Sequence, residues 1–189
     1  TSNLAGFGNS LANTITGNAG ANLLKGRGGK DAILGGDGDD TIRGGKGDDR
    51  LLGEDGSDTM RGNGGKDEIA GALGKDKLWG GGGKDCFVFD SALGGDNTDR
   101  IKDFAAHRDK IWLDQDIFTG IASKLGKGEF EIGRKAKDAN DHVLYDKGKG
   151  RLYFDADGDG HGKKVLFAKV DKGTSLGHKD FVMIEDFAV

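Results

Sequence analysis

From Gly8 to Val88 the apolar residues fall on a period of nine. Ile15, Leu24, Ile33, Ile42, Leu51, Met60, Ile69, Leu78 and Phe87 recur at the same place in each nonapeptide, without a single insertion. Neither the helical period nor the alternation of a long strand produces this spacing. It predicts a short strand with one inward side chain, then a turn, repeated nine times. The polar positions share the register. Glycine fills the first position of all nine repeats and the fourth of eight, with Leu11 the exception. The sixth position runs Asn13, Asn22, Asp31, Asp40, Asp49, Asp58, Asp67, Asp76, Asp85. Glycine tolerates positive φ and close backbone approach, so positions one to four are read as a tight turn. Turn and strand in alternation predict a parallel coil with two nonapeptides per circuit. Turns 18 residues apart then stack along one edge, one strand spacing of ~4.8 Å apart.

Past Phe89 the period becomes two. Strands are predicted at Phe87–Phe89, Asp99–Phe104, Lys110–Leu113, Glu129–Ile132, His142–Tyr145, Arg151–Asp155, Lys164–Val170 and Asp180–Ile184, with a helical turn within Asp114–Lys124. The fold class is therefore all-β: a repeat coil over residues 1–88 and a β-rich cap over residues 89–189. Phe104, Trp112, Phe118, Phe130, Tyr145, Tyr153, Phe154, Phe167 and Phe181 supply the cap's apolar cluster. The cap is expected to fold continuously with the coil and close its open end.

Stacked carboxylates repel, and a cation between them turns repulsion into a bond. Carboxylate and main-chain carbonyl oxygens, without imidazole or thiolate, select a hard ion, and a flexible oxygen cage suits Ca2+ better than Mg2+. Position six of repeats n and n+2 pairs Asp31 with Asp49, Asp40 with Asp58, Asp49 with Asp67, Asp58 with Asp76, and Asp67 with Asp85, giving about five Ca2+ sites. The turns add backbone oxygen from Gly35, Gly36, Asp37 and Gly38, from Gly44, Gly45, Lys46 and Gly47, and from Gly53, Asp55, Gly56, Gly62 and Gly65. Asn13 and Asn22 are weaker ligands, because an amide oxygen carries no charge. Asp90, Asp96, Asp99 and Asp103 are candidates for a terminal site beyond the last repeat. Asp155, Asp157 and Asp159 match the opening of an EF-hand loop, but Leu166 stands where its bidentate glutamate belongs. A hairpin turn on the Asp-Gly pair is the other reading.

Composition adds limits. The 189 residues include 37 glycines, no proline and one cysteine, Cys86, so no internal disulfide staples the fold. No apolar run is long enough to span a membrane. The chain opens at Thr1 in mid-pattern and is expected to be a piece of a longer parent. A glycine-rich coil with one inward side chain per nonapeptide buries little for the entropy it loses, so the metal is expected to drive folding. No catalytic constellation stands out. There is no H-E-x-x-H, and His107, His142, His161 and His178 lack ligand spacing. Cys86 has no histidine near it in sequence, and the chain is read as not an enzyme.

The unit G-G-x-G-x-D-x-U-x resembles the RTX (hemolysin-type) calcium-binding nonapeptide over residues 8–88. Arg27, Glu54, Asn63 and Ala72 depart from it at the second glycine. The resemblance implies a right-handed parallel β-roll with Ca2+ held by turn carbonyls and sixth-position aspartates. The stretches "FVFDSALGGDNTDRIKDF" and "GRLYFDADGDGHGKKVLFA" look like the region following such repeats in serralysin-type proteases. The end, "KDFVMIEDFAV", is similar to their uncleaved signal for the type I (ABC) secretion apparatus. These likenesses imply a secreted, extracellular protein of a Gram-negative bacterium. Five bound Ca2+ turn a net charge of −4 into about +6, with Lys30, Lys66, Lys75, Lys84, Arg27, Arg43, Arg50 and Arg61 exposed on the coil. Acidic polysaccharide is thus the alternative partner, as a likeness to the repeat modules of alginate epimerases allows. Nucleic acid is not expected, since aromatics are not interleaved with the charges.

Overall fold

The computed structural model describes residues 2–159, 161–185 and 187. The nonapeptides form short strands: β1 (Ala5–Phe7), β2 (Thr14–Thr16), β3 (Leu23–Gly28), β4 (Ala32–Leu34), β5 (Thr41–Lys46), β6 (Arg50–Asp55), β7 (Thr59–Gly65), β8 (Glu68–Leu73), β9 (Lys77–Gly83) and β10 (Cys86–Phe89). Alternate strands enter different sheets, and neighbours within a sheet pair in parallel at a register of 18 residues, as in Leu24↔Ile42, Ile42↔Met60 and Ile33↔Leu51. The eighth position therefore builds two facing columns. From Leu24 to Phe87 every one of these side chains is fully buried, each contributing roughly 2 kcal/mol.

The second half adds β11 (Asp99–Ile101), β12 (Lys110–Asp114), β13 (Phe130–Glu131), β14 (Val143–Asp146), β15 (Arg151–Phe154), β16 (Val165–Lys169) and β17 (Phe181–Ile184). It does not form sheets of its own. The ten-stranded sheet runs β1-β3-β5-β7-β9-β11-β16-β15-β14-β13, and the seven-stranded sheet β17-β12-β10-β8-β6-β4-β2. The coil continues for one more circuit, with Ile101 beside Leu78 and Ile111 beside Phe87. The antiparallel hairpins β14–β15 and β15–β16 then extend the ten-stranded sheet beyond β11.

All eight strands expected in this half are present, with shifted ends. No α-helix occurs among the described residues. The helical turn expected in Asp114–Lys124 is reduced to a turn in which the Phe118 N–H donates to the Asp114 carbonyl at 2.8 Å. Phe118 instead plunges into the core, its ring centroid 5.1 Å from those of both Phe154 and Phe167. Trp112 leaves the expected cluster. Its neighbour Ile111 points inward, so alternation sends Trp112 to the outer face of the seven-stranded sheet, against Phe187. There it joins Leu52, Ala70 and Val88 in a small second cluster.

Candidate metal centre

The tight turn divides its glycines into two physical roles. From the third repeat to the ninth, positions two and four have positive φ throughout: Arg27, Gly36, Gly45, Glu54, Asn63, Ala72 and Gly81, then Gly29, Gly38, Gly47, Gly56, Gly65, Gly74 and Gly83. The four non-glycine residues at position two keep the left-handed conformation at φ 65° to 83°, a local cost of roughly 1 kcal/mol each. Position one is glycine for another reason. A Cβ on Gly35 or Gly53 would collide with the Oδ2 of Asp40 or Asp58, and would lie 2.6 Å and 2.8 Å from the carbonyls of Gly53 and Gly71. The first glycine keeps open a cradle between a carboxylate oxygen and the first carbonyl of the turn above.

The sixth-position side chains form two columns. Oδ1 of each accepts the backbone N–H of the sixth residue one turn earlier: Asp49 from Asp31 at 2.9 Å, Asp58 from Asp40 at 2.7 Å, Asp76 from Asp58 at 2.8 Å. The other oxygen is buried with no hydrogen-bond partner in Asp31, Asp40, Asp49, Asp58, Asp67, Asp76 and Asp85 alike. A buried anionic oxygen without a partner is costly, and seven in register mark a missing cation. Among the described residues no three His, Cys, Asp or Glu side chains converge. The donor set is carboxylate plus carbonyl, all hard oxygen, which fits Ca2+.

Asn22 supplies an internal comparison. It holds the sixth position of the second repeat, and its Nδ2 donates to the carbonyls of Asn18 (position two), Gly20 (position four) and Gly35 (position one, two repeats on). Its two N–H groups are thus shared among the carbonyls of positions two, four and one and the Oδ1 of Asp40, 2.9 Å away. In the sixth repeat the equivalent carbonyls belong to Glu54, Gly56 and Gly71. Asn13 is more exposed and accepts the N–H of Asn9 at 2.8 Å.

The electrostatics match a column built around an absent charge. Burial pushes the carboxyls of Asp49, Asp67 and Asp58 up to about 6, 7 and 8, with nearby carboxylates adding to the rise, from the turns on both sides for Asp67 and Asp58 and from Asp31 and Asp48 for Asp49. Asp40, Asp76 and Asp85 are raised for the same first reason. Asp37, Lys46 and Asp55, at position three, lie on the surface. Their place in the turn is through the backbone, as where the Asp55 carbonyl accepts the Gly38 N–H at 2.6 Å.

Beyond the repeats, Asp99 continues one column and accepts the Asp76 N–H at 3.1 Å, with its carboxyl raised well above the usual range by burial. The other column ends on Asp109, which sequence reasoning missed. It is 1% exposed and accepts the N–H groups of Asp85 at 3.3 Å and Ala105 at 2.7 Å. Its signal was the triplet Asp109-Lys110-Ile111, a sixth, seventh and eighth position displaced by a loop. Asp103 sits over the last turn, accepting the N–H groups of Gly80 and Gly81. Asp96 is exposed and pairs with Lys75, away from the columns. Asp90 is half-buried just after β10. Asp155, Asp157 and Asp159 lie in the hairpin loop between β15 and β16; Gly160 of that stretch, like Thr1, Asp186, Ala188 and Val189 of the termini, lies outside the described residues.

A parallel β-roll with carboxylate columns and carbonyl cradles along its edges is a calcium-binding repeat module. The family description "RTX calcium-binding nonapeptide repeat (4 copies)" matches residues 7–42, 34–69 and 61–92, the tract that carries the nonapeptides. No curated protein matches the chain. Among solved structures, it is similar to the AlgE6R3 subunit of the mannuronan C5-epimerase of Azotobacter vinelandii, at 29% identity over 77% of this chain and 78% of that one, with a TM-score of 0.49. It is also similar to the extracellular lipase LipA of Serratia marcescens, at 16% identity, TM-score 0.34 and 95% of this chain. It spans 40% of the lipase. RTX repeat proteins are typically secreted. No helix among the described residues is long and apolar enough to cross a membrane.

Proposed function

We propose that this chain is a non-catalytic, calcium-driven folding module of a larger secreted bacterial protein, disordered where calcium is scarce and a rigid roll where it is abundant. The carrying observation is the set of seven buried Oδ2 atoms without a partner. Without metal each circuit must bury an anion or protonate it. With metal the same oxygens and the turn carbonyls become ligands, and binding free energy becomes folding free energy. Low calcium inside the cell then leaves an extended chain suited to passage through a type I exporter, and millimolar calcium outside folds it. The chain does no chemistry in this reading. Burial pushes its one thiol, Cys86, up to about 12, so at neutral pH it is not a thiolate nucleophile.

Far-UV circular dichroism in chelator, followed by calcium titration, tests the proposal. The expected result is a disordered spectrum that converts cooperatively to β-structure. A β spectrum unchanged by chelator refutes it.

A further inference from the structure

Two of the nine sixth positions carry an amide instead of a carboxylate, and the fold uses them differently. Asn13 is half-buried, and its Nδ2 donates to the carbonyl of its own neighbour Ala12 at 3.2 Å. Asn22 is buried like the aspartates that follow it in the column. Its Oδ1 accepts the Leu4 N–H at 3.1 Å, the same bond one circuit back that Oδ1 of each aspartate makes. Its Nδ2 therefore stands where the aspartates hold the oxygen that has no partner.

Around that nitrogen lie the carbonyls of Asn18 at 2.9 Å, Gly20 at 2.5 Å and Gly35 at 3.3 Å, and Oδ1 of Asp40 at 2.9 Å. Two N–H groups thus serve four oxygens drawn from two circuits of the coil. Carbonyl and carboxylate oxygens gathered in this way are the surroundings of a hard cation, and here a neutral donor fills them. The backbone of the turn differs too. Asn18 and Gly20, at positions two and four, lack the positive φ that both positions take from the third repeat on. Asn18 instead accepts the Gly20 N–H on Oδ1 at 3.0 Å and donates from Nδ2 to the Ser2 carbonyl at 3.1 Å. The two asparagines tie the second turn to the chain before it, at Ser2 and Leu4, and to the turn after it, at Gly35 and Asp40.

We infer that the amide of Asn22 takes the place of a calcium ion, so that protein atoms alone seal the second turn and the ions of this column begin between Asp40 and Asp58. This rests on the calcium-driven folding proposed above, and it names the residue that decides where metal binding starts. It also reverses the expectation that Asn22 is a weak ligand, because an N–H donor aimed into the cradle excludes a cation. An ion in the second turn would meet one carboxylate, that of Asp40, whereas each ion further along lies between two. Aspartate at position 22 would supply the second.

Calorimetric calcium titration of the full chain, with dichroism following the fold, tests the inference. Asn18→Gly combined with Asn22→Asp restores the G-G-x-G-x-D pattern to the second repeat. This variant is expected to bind one calcium ion more per chain than the wild type, and to need more trimethylamine N-oxide to fold in chelator. Asn22→Ala empties the cradle without adding charge. It is expected to bind no additional ion and to weaken folding in chelator as well. The inference is overturned if the restored repeat binds only the wild-type number of ions, if Asn22→Ala gains an ion too, or if neither variant is weakened in chelator. A wild-type chain that binds no calcium overturns it together with the calcium-driven reading. A wild-type chain that folds on calcium while the restored repeat gains no ion overturns this inference alone.

Discussion

Replacing Asp58 by asparagine has effects of opposite sign with and without metal. Asp58 is 1% exposed, and burial pushes its carboxyl from 3.8 to about 8. At pH 7 the unfolded chain holds this group ionised and the metal-free roll holds it protonated. The gap between pH 7 and the unfolded value costs the metal-free roll about 4 kcal/mol at ~1.36 kcal/mol per unit. An amide bears no such cost. In the geometry of Asn22, its two N–H groups would be shared among the carbonyls of Glu54, Gly56 and Gly71 and the Oδ1 of Asp76, at about 1 kcal/mol net per N–H. In chelator, Asp58→Asn is therefore expected to stabilise the roll by roughly 4 kcal/mol or more. In calcium it removes a charged ligand shared by the turns above and below, so the loaded roll loses stability and the calcium midpoint rises. Trimethylamine N-oxide can force the metal-free chain to fold, and dichroism then reads the osmolyte midpoint in chelator and the urea midpoint in calcium. The expected result is a lower osmolyte midpoint and a lower urea midpoint. If the substitution destabilises the chain equally under both conditions, the orphaned oxygen is not an uncompensated charge and the reasoning is wrong.

The remaining predictions use the same columns. Carboxyls raised in the folded state favour it below their unfolded value near 3.8, and that contribution is lost as pH rises through about 6, 7 and 8 for Asp49, Asp67 and Asp58. Acidifying a chelated sample from about pH 8 to about pH 5 is thus expected to restore β-structure by dichroism, and protons are expected to weaken calcium binding over the same range. Gly53→Ala puts a Cβ into the cradle between Asp58 and the Gly71 carbonyl. Calorimetry is expected to show one fewer calcium ion bound, without the relief in chelator that Asp58→Asn gives. Asp109→Ala removes the acceptor for the Asp85 N–H at the end of one column, and urea unfolding in calcium is expected to shift by about 1–3 kcal/mol. Phe118→Ala, within the aromatic core of the cap, is expected to cost about 3–5 kcal/mol with calcium stoichiometry unchanged.

The coil was legible because one register encodes three things at once. The eighth position names the inward side chain, the first and fourth fix the turn, and the sixth names the ligand, so nine copies reinforce a single reading. What the sequence hid lies where that register breaks. Asp85 and Asp109 are 24 residues apart rather than 18, and the loop between them conceals that Asp109 continues the column. The positive φ of Arg27, Glu54 and Ala72 was not readable either, since those residue types, unlike Asn63, do not ordinarily announce a left-handed backbone. Trp112 was expected in the cap's apolar cluster with the other aromatics; its place on the outer face follows from the parity of Ile111.

The central claim is that a divalent cation sits where the seven Oδ2 atoms have no partner. Anomalous diffraction from crystals grown in calcium tests it most directly. The account predicts two lines of peaks along the edges of the roll, spaced by about one strand, ~4.8 Å, each between a sixth-position Oδ2 and the carbonyls of the turn above. Water at those positions, with calcium scattered elsewhere or absent, would contradict it.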